Sequence, residues 1–176
     1  MSSRVFVIAD LHFGHKKLAA LRGFSSVDEH DRALIEAWNA TVTKRDVVYV
    51  LGDVFDPSLF RVMHGIKKLA MGNHDNDKME IYSDLFSKVR AMFEYDGCIL
   101  SHIPVHPSQF PRYELNVHGH THEHSVKNQI GYPDLRYIPT SVEHSLAPRL
   151  LNQLIAERRA KTLKAETIMQ SWEEIP

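Results

Sequence analysis

The sequence predicts an α/β fold in which a mixed β-sheet arrangement is flanked by helices. Strand-like and helix-like segments alternate in the first half of the chain, whereas strand-like segments cluster in the second half. Most of the predicted strands are short apolar runs that stop at a glycine or an acidic residue. The length of 176 residues suits one domain with a real core, so we expect residues 1–176 to form a single domain.

Residues 5–9 and 47–51 are continuous apolar runs, as expected for strands that are buried on both faces. Further strands are predicted at 66–71 and 115–118, and each is followed by a glycine. Two further strands, at 89–93 and 98–101, flank a Tyr-Asp-Gly turn at 95–97, which is typical of a hairpin. The segment 130–138 predicts a strand pair or a loop, and the proline-rich segment 103–113 predicts a loop.

The predicted helices lie between these strands. Residues 27–42 have helical spacing with Asp28 as a candidate N-cap, Pro57 and Gly65 bracket a short helix, and residues 76–86 also look helical. A C-terminal helical segment at about 148–173 is expected to break near 161–164. Its apolar stripe packs either on the protein's own sheet or on a second copy, so the oligomeric state stays open.

Composition indicates an ordinary globular protein. The net charge of −1 argues against broad electrostatic binding of nucleic acid, and a single cysteine, Cys98, excludes an internal disulfide. Neither a leader pattern nor a bilayer-length apolar run is present, so we expect a cytoplasmic protein without a membrane partner. Nothing indicates an obligate protein partner.

Seven candidate metal ligands follow the predicted strands in short phrases, most of which contain glycine. They are Asp10, His12, Asp53, Asn73, His102, His120 and His122. Ligands gather beyond the carboxyl ends of parallel strands, so these side chains are expected to converge. An extended backbone would point Asp10 and His12 the same way, and likewise His120 and His122. Asp, Asn and His without Cys is the ligand set of a hydrolytic centre rather than a structural zinc site.

From Asp10 to His122 the chain resembles the calcineurin-like metallophosphoesterases, and Asp10 to His15 with the Trp38-Asn39 pair is similar to small bacterial and phage members. The resemblance implies two stacked mixed sheets between helices, a four-layer αββα sandwich, and a site for two metals. Asp53 would bridge the metals and His74 would be the catalytic histidine. The first metal would take Asp10, His12 and His122, and the second Asn73, His102 and His120. Asp56 would be the partner of His74, with a helix cap before Pro57 as the alternative.

The expected activity is metal-dependent phosphoester hydrolysis. A bridging hydroxide on two divalent ions with Asp10 and Asp53 leaves one net positive charge, which suits a phosphodiester. The substrate would be small or nucleotide-like, such as a nucleotide or a nucleic-acid end. Mn²⁺ is favoured, and Fe, Zn²⁺ or Ni²⁺ are possible. The alternatives are a phosphomonoesterase or protein phosphatase of the same fold, and a non-catalytic scaffold.

Four further residues have two open interpretations each. His15 either contacts the substrate phosphate or caps a helix. Arg112 either pairs with a substrate phosphate or belongs to an ordinary loop. Asp75 either supports the metal centre or forms a turn. Arg22 either belongs to the rim of the site or takes part in local packing.

Overall fold

The computed structural model describes residues 3–173 of the chain, except for the side chains of residues 166 and 168–173. Within this range, nine strands form two mixed sheets. The strands are β1 (Val5–Ile8), β2 (Val47–Val50), β3 (Ile66–Ala70), β4 (Lys88–Arg90), β5 (Met92–Tyr95), β6 (Cys98–Ser101), β7 (Leu115–His118), β8 (Tyr137–Pro139) and β9 (Arg149–Leu150). The α-helices are α1 (Lys16–Leu21), α2 (Val27–Thr41), α3 (Met79–Leu85) and α4 (Leu151–Glu173), and 3₁₀ helices span Pro57–Val62 and Pro107–Gln109.

Parallel pairing dominates both sheets. The first sheet has the order β4-β3-β2-β1-β9, in which only β9 is antiparallel to its neighbour, and the second has the order β5-β6-β7-β8, in which only β5 is antiparallel. The carboxyl ends of most strands in each sheet therefore lie at one edge. The predicted α/β architecture, with two mixed sheets flanked by helices, is confirmed.

Two apolar cores hold these layers together. Residues of the first sheet such as Val7 and Leu51 pack against Leu100 and Val117 of the second sheet, and the start of α4 adds Ile155. On its other face the first sheet packs against α2, α3 and the Pro57–Val62 helix in a core that includes Phe6, Phe13, Leu34, Trp38 and Phe60. The packing of helices and of the second sheet on opposite faces explains the near-continuous apolar character of β1 and β2.

The structure corrects three details of the sequence-based prediction. Helix α4 begins at Leu151, after the short strand β9, and continues through 161–164 without a break. The expected break rested on a basic run, but Lys and Arg are good helix formers. The N-cap of α2 is Ser26, whose hydroxyl accepts from the backbone N of Glu29 at 3.1 Å, rather than Asp28.

The predicted strand at 89–93 is divided between the two sheets. Strand β4 ends at Arg90 in the first sheet, and β5 starts at Met92 in the second. The predicted hairpin is present, because Tyr95 pairs with Cys98 and the turn residues Asp96 and Gly97 have φ of 48° and 75°.

The predicted loop at 103–113 covers the outer face of the second sheet. The backbone N of Val105 donates to Asn116 at 2.9 Å, and the hydroxyl of Tyr137 donates to the Val105 carbonyl at 2.7 Å. Phe110 packs edge-on against Tyr137. None of the helices in the described part of the chain combines the length and the apolar character needed to span a lipid bilayer.

Candidate metal centre

The seven candidate ligands lie in loops that leave the carboxyl ends of neighbouring strands. Asp10 follows β1, Asp53 follows β2, Asn73 follows β3, and His102 directly follows β6. The loops are joined by backbone hydrogen bonds, because the N of Asp10 donates to the Gly52 carbonyl at 3.1 Å and the N of His12 donates to the Asp53 carbonyl at 2.9 Å. Parallel pairing in the sheets therefore brings sequence-distant ligands to one place.

Five of these ligands have a left-handed backbone instead of the extended one predicted for the two alternating pairs. Their φ values are 58° for Asp10, 49° for His12, 54° for Asp53, 68° for His120 and 52° for His122. Asp and His are among the non-glycine residues that adopt this conformation most often, at a cost of about 1–3 kcal/mol each. The expectation of extended pairs is wrong, although each pair still reaches the site. Such strain concentrates at functional sites.

At Gly72 and Gly119 the backbone lies so close to neighbouring residues that only glycine fits. A Cβ atom at Gly72 would overlap Oδ1 of Asp53. One at Gly119 would lie 2.6 Å from the Cβ of Ala9 and 2.8 Å from Oδ2 of Asp10. These contacts explain why glycine stands directly before Asn73 and before His120: any larger residue would push the backbone away from the carboxylates.

Asp10, His12 and His122 form the first group. Their ligand atoms all lie within 4.8 Å of one another. The rings of His12 and His122 are stacked with centroids 5.4 Å apart. Oδ2 of Asp10 accepts from the backbone N of His120 at 2.9 Å, which connects this carboxylate to the second group.

Asn73, His102 and His120 form the second group. Oδ1 of Asn73 lies 2.9 Å from Nε2 of His102 and 3.0 Å from Nδ1 of His120. Nδ1 of His102 donates to the Leu51 carbonyl at 2.8 Å, so Nε2 of the neutral ring carries a lone pair. That lone pair and the Asn73 oxygen point at each other, an arrangement that suits a bound cation.

Asp53 lies between the two groups. Its Oδ2 is 3.4 Å from Nε2 of His12, and its Oδ1 is 3.4 Å from Nε2 of His102. One oxygen thus faces a residue of the first group and the other a residue of the second. This is the arrangement expected of a carboxylate that bridges two cations.

The site residues fit divalent metal ions. Both ring nitrogens of His12 are buried and have no hydrogen-bond partner among the described residues, which is costly for a polar side chain without a ligand. Burial, with smaller contributions from Arg22 and neighbouring histidines, lowers the pKa of His12 to about 3, so the ring is neutral at pH 7. A neutral histidine has the lone pair that a metal ion requires.

The carboxylate of Asp10 also requires a nearby positive charge. Burial raises its pKa to about 6, although the hydrogen bond from Ser141 acts in the opposite direction. A cation at this position would favour the charged form and lower this pKa. Buried carboxylates without a paired charge are unfavourable, so the first group is well suited to hold a metal ion.

A half-buried carboxylate, Glu143, supports His122 and was not found by sequence reasoning. Its Oε1 accepts from Nδ1 of His122 at 2.8 Å and from the guanidinium of Arg22 at 2.8 Å. Arg22 also donates to the backbone carbonyls of Asp10 and Leu11, at 2.7 and 3.0 Å. Arg22 therefore connects the loop that carries Asp10 to Glu143. The sequence had suggested only a place at the rim of the site or a part in local packing.

The pKa values within this pair match its geometry. Burial opposes the charge of Glu143, but hydrogen bonds from His122 and Arg22 outweigh it and lower the pKa to about 2. The hydrogen bond to Glu143 raises the pKa of His122. With its Nδ1 proton held by Glu143, His122 presents Nε2 as the free ligand atom.

Asp75 takes the supporting role rather than that of a simple turn residue. Its carboxylate accepts from the backbone N of Val54 at 2.8 Å, of Gly72 at 2.8 Å and of Asp53 at 3.1 Å. One buried side chain therefore joins the loop that carries Asp53 to the loop that carries Asn73.

His74 lies at the edge of the centre. Its backbone N donates to Oδ1 of Asp53 at 2.9 Å, and its exposed ring lies 5.3 Å from that of His12. Asp56 forms neither a hydrogen bond nor an ion pair with His74 among the described residues. Its Oδ1 instead accepts from the backbone N of Ser58 at 2.9 Å and caps the Pro57–Val62 helix, which is the alternative that its position before Pro57 predicted.

The two tentative substrate contacts differ in their surroundings. Nδ1 of His15 accepts from the backbone N of Leu18 at 3.2 Å as the N-cap of α1, and its ring lies 5.7 Å from that of His12. His15 is thus a cap that also lies beside the centre. Arg112 is exposed, donates to Glu94 at 3.1 Å and packs over Tyr113, so the structure shows an ordinary loop residue there.

The family model described as calcineurin-like phosphoesterase matches residues 3–169, nearly the whole chain. The chain belongs to the calcineurin-like phosphoesterase family. Membership implies metal-dependent hydrolysis of phosphoesters, in agreement with the two groups of ligands.

Several relatives of this calcineurin-like phosphoesterase extend over most of its length. The Gene 66 protein of Mycobacterium phage D29 is 28% identical over 185 residues, covering 83% of this chain and 92% of that protein. The uncharacterized protein MJ1445 of Methanocaldococcus jannaschii is 30% identical over 158 residues, covering 80% and 82%. The crystal structure of AQ665, a protein of unknown function from Aquifex aeolicus, has a TM-score of 0.65 at 23% identity, with 92% of this chain and all of that one covered.

Proposed function

We propose that the protein is a phosphodiesterase with a two-cation centre, for which Mn²⁺ is the favoured metal, and that its substrate is a small or nucleotide-like phosphodiester. The observation that carries the proposal is the carboxylate of Asp53. Its two oxygens lie at equal distances, 3.4 Å, from His12 in one group and His102 in the other. Two divalent cations held there would polarise the phosphoryl oxygens and lower the pKa of an attacking water.

The charge of the ligand set supports a diester. Asp10 and Asp53 are the acidic members among the seven ligands, whereas the histidines and Asn73 are neutral when they bind metal. Two divalent cations would therefore exceed the charge of their ligands. The remaining positive charge attracts a phosphate anion, and a diester has the single negative charge that is most easily accommodated.

Two clefts beside the ligands also support a diester, since its phosphorus carries two organic groups. The larger cleft has a volume of about 720 Å³, and the smaller about 390 Å³. The larger is bordered by the ligands His120 and His122 together with Leu18 and Leu21, and the smaller by Asn73 and His102 together with Met71, Met92 and Ile103. Each cleft can take one organic group of the substrate, with the phosphate at the ligands between them.

Two histidines of the chain are proposed to act on the substrate. The exposed ring of His74 is free to donate a proton to the departing oxygen. Nδ1 of His15 accepts a backbone hydrogen bond, so the proton of its neutral ring is on Nε2, where it can contact a phosphate oxygen. The cap orients His15 without consuming this donor. Asp56 and Arg112 have no part in this mechanism.

The test is hydrolysis of bis-p-nitrophenyl phosphate and of p-nitrophenyl phosphate with Mn²⁺, Ni²⁺, Zn²⁺, Fe²⁺ and Mg²⁺. We expect metal-dependent hydrolysis that favours the diester, with the greatest activity in Mn²⁺. Hydrolysis of the monoester or of a phosphopeptide in preference to the diester would contradict the proposed specificity. Absence of hydrolysis with every metal would contradict the enzymatic function itself.

A further inference from the structure

A third cleft, which has basic walls, lies between α4, β8, β9 and the loop at 125–134. It encloses about 270 Å³ and is lined by Arg149, Arg158, Lys161 and His144. Within the described residues, none of the seven metal ligands lines it. The volume is close to the lower end of small-molecule sites. This cleft is therefore distinct from the two that border the metal centre.

The two arginines in this cleft have incomplete hydrogen bonding. Arg149 donates to the carbonyl of Pro139, and Arg158 donates to the carbonyl of Leu135 at 3.3 Å. Neither guanidinium forms an ion pair with a carboxylate among residues 3–173 whose side chains are described. Since a guanidinium has five N–H donors, most donors of both groups are left for a ligand or for water.

Of the two acidic residues that line the cleft, Asp134 is paired with a cation and Glu157 is not. Both oxygens of Asp134 accept from the guanidinium of Arg136, at 3.0 and 2.6 Å. Oε1 of Glu157 accepts from Gln153 at 2.8 Å. The pairing of Asp134 with Arg136 leaves Glu157 as the one unpaired acidic charge in the cleft lining, against the positive charges of Arg149, Arg158 and Lys161.

Partial burial makes these positive charges unfavourable without a counter-ion. Burial is the largest effect on Arg149 and lowers its pKa, and Arg158 lowers it further, although Glu157 partly compensates. Burial likewise lowers the pKa of Arg158, although the nearby charge of Asp134 acts in the opposite direction. Both groups stay charged at pH 7 because arginine is effectively always protonated. The attraction of a bound anion would offset both the cost of desolvation and the repulsion between the two guanidinium groups.

We propose that this cleft binds a phosphate group through Arg149, Arg158 and Lys161, separately from the metal centre. Arginine recognises phosphate by paired N–H donors, and lysine adds a point charge. The site does not depend on hydrolysis, so it stands or falls independently of the proposed phosphodiesterase activity.

The experiment is calorimetric titration of the metal-loaded full chain with inorganic phosphate at constant ionic strength, using Lys161→Gln and Arg158→Gln. Lys164→Gln is the matched control, because Lys164 is exposed on the same helix but does not line the cleft. We expect two classes of phosphate site, one at the metal centre and one in the cleft. Lys161→Gln and Arg158→Gln should each lower the affinity of the cleft site about tenfold, which is the loss expected from one charge-assisted hydrogen bond. Lys164→Gln should leave both classes unchanged.

Phosphate bound at the metal centre is identified by its inhibition of diester hydrolysis. The inhibition constant of phosphate should stay the same in Lys161→Gln, which separates the two sites. Phosphate binding that is equally strong in Lys161→Gln, Arg158→Gln and Lys164→Gln, whether in one class of site or in two, would overturn the proposal. Because Lys161 is exposed, its substitution keeps the test valid even if Arg158→Gln lowers stability.

Discussion

Nδ1 of His122 donates a hydrogen bond of 2.8 Å to Oε1 of Glu143, and the same oxygen accepts from Arg22. Arg22 in turn holds the backbone of Asp10. The ligand group of Asp10 and His122 thus depends on a carboxylate that is not itself among the seven candidate ligands. In metal centres such a partner orients the histidine and increases its basicity.

Glu143→Gln should weaken metal binding. The amide keeps the size of the side chain but loses the charge that holds the His122 ring, and losses of about 10–100-fold are typical of such partners. Calorimetric titration with Mn²⁺ measures the affinity. Glu123→Gln is the matched control, because Glu123 is exposed and borders the same cleft. If the two variants bind Mn²⁺ equally well, Glu143 has no positioning role.

His74→Ala should retain both metal ions but lose a factor of about 10²–10⁴ in kcat, the usual range for a general acid. The loss should be greater for a diester with a poor leaving group than for bis-p-nitrophenyl phosphate, since a good leaving group needs no proton. Metal content is measured beside the kinetics. His106→Ala, at an exposed position in the 103–113 loop, provides the control. Equal kcat values for the two variants would exclude His74 from the reaction.

Asp75→Asn should destabilise the protein. An amide can accept fewer hydrogen bonds than the carboxylate that now binds the N–H groups of Asp53, Val54 and Gly72, and we expect a loss of about 1–3 kcal/mol in the free energy of unfolding. Urea denaturation measures it. The control is Asp77→Asn, since Asp77 is exposed in the same loop. Surface substitutions usually change the free energy of unfolding by less than about 0.5 kcal/mol. If Asp75→Asn and Asp77→Asn differ in this free energy by no more than that, Asp75 does not have the supporting role.

Asp46 should contribute to stability at neutral pH and lose that contribution in acid. The hydrogen bond from Arg4 is the largest cause that lowers its pKa, so the unfolded chain binds this proton more readily than the folded one. The contribution is complete above the unfolded pKa of about 3.9 and falls as pH decreases below it. Asp46→Asn should cost about 2 kcal/mol at pH 7 and flatten the acid dependence.

Unfolding by urea at pH 7 and at lower pH measures this effect, with Asp84→Asn at an exposed position of α3 as the control. Parallel stability curves for wild type and Asp46→Asn from neutral to acid pH would show that the Arg4–Asp46 contact does not control the acid dependence.

The strand-end ligands could be predicted because their signal is local. Most lie within a few residues of an apolar run, and three directly follow a glycine: Asp53 follows Gly52, Asn73 follows Gly72 and His120 follows Gly119. Their left-handed backbone could not be inferred from alternation alone, although the preference of Asp and His for that conformation is a usable signal.

The residues that support the metal ligands, such as Glu143 and Ser141, could not be predicted from their neighbours in the sequence. Arg22 and Glu143 are 121 residues apart, and Ser141 and Asp10 are 131 apart, so only the folded chain brings them together. Glu143 lies in a segment without a motif, and its burial follows from packing. The position of Asp56 before Pro57 allowed two interpretations, a helix cap or a partner of His74, and the hydrogen bond from Ser58 in the folded chain shows the cap.

The most direct test of the two-cation centre is diffraction from crystals of the Mn²⁺-loaded protein, recorded at the manganese absorption edge. We predict two anomalous peaks, one among Asp10, His12 and His122 and the other among Asn73, His102 and His120, with the carboxylate of Asp53 coordinating both. A single peak, or two peaks of which Asp53 contacts only one, would contradict the account.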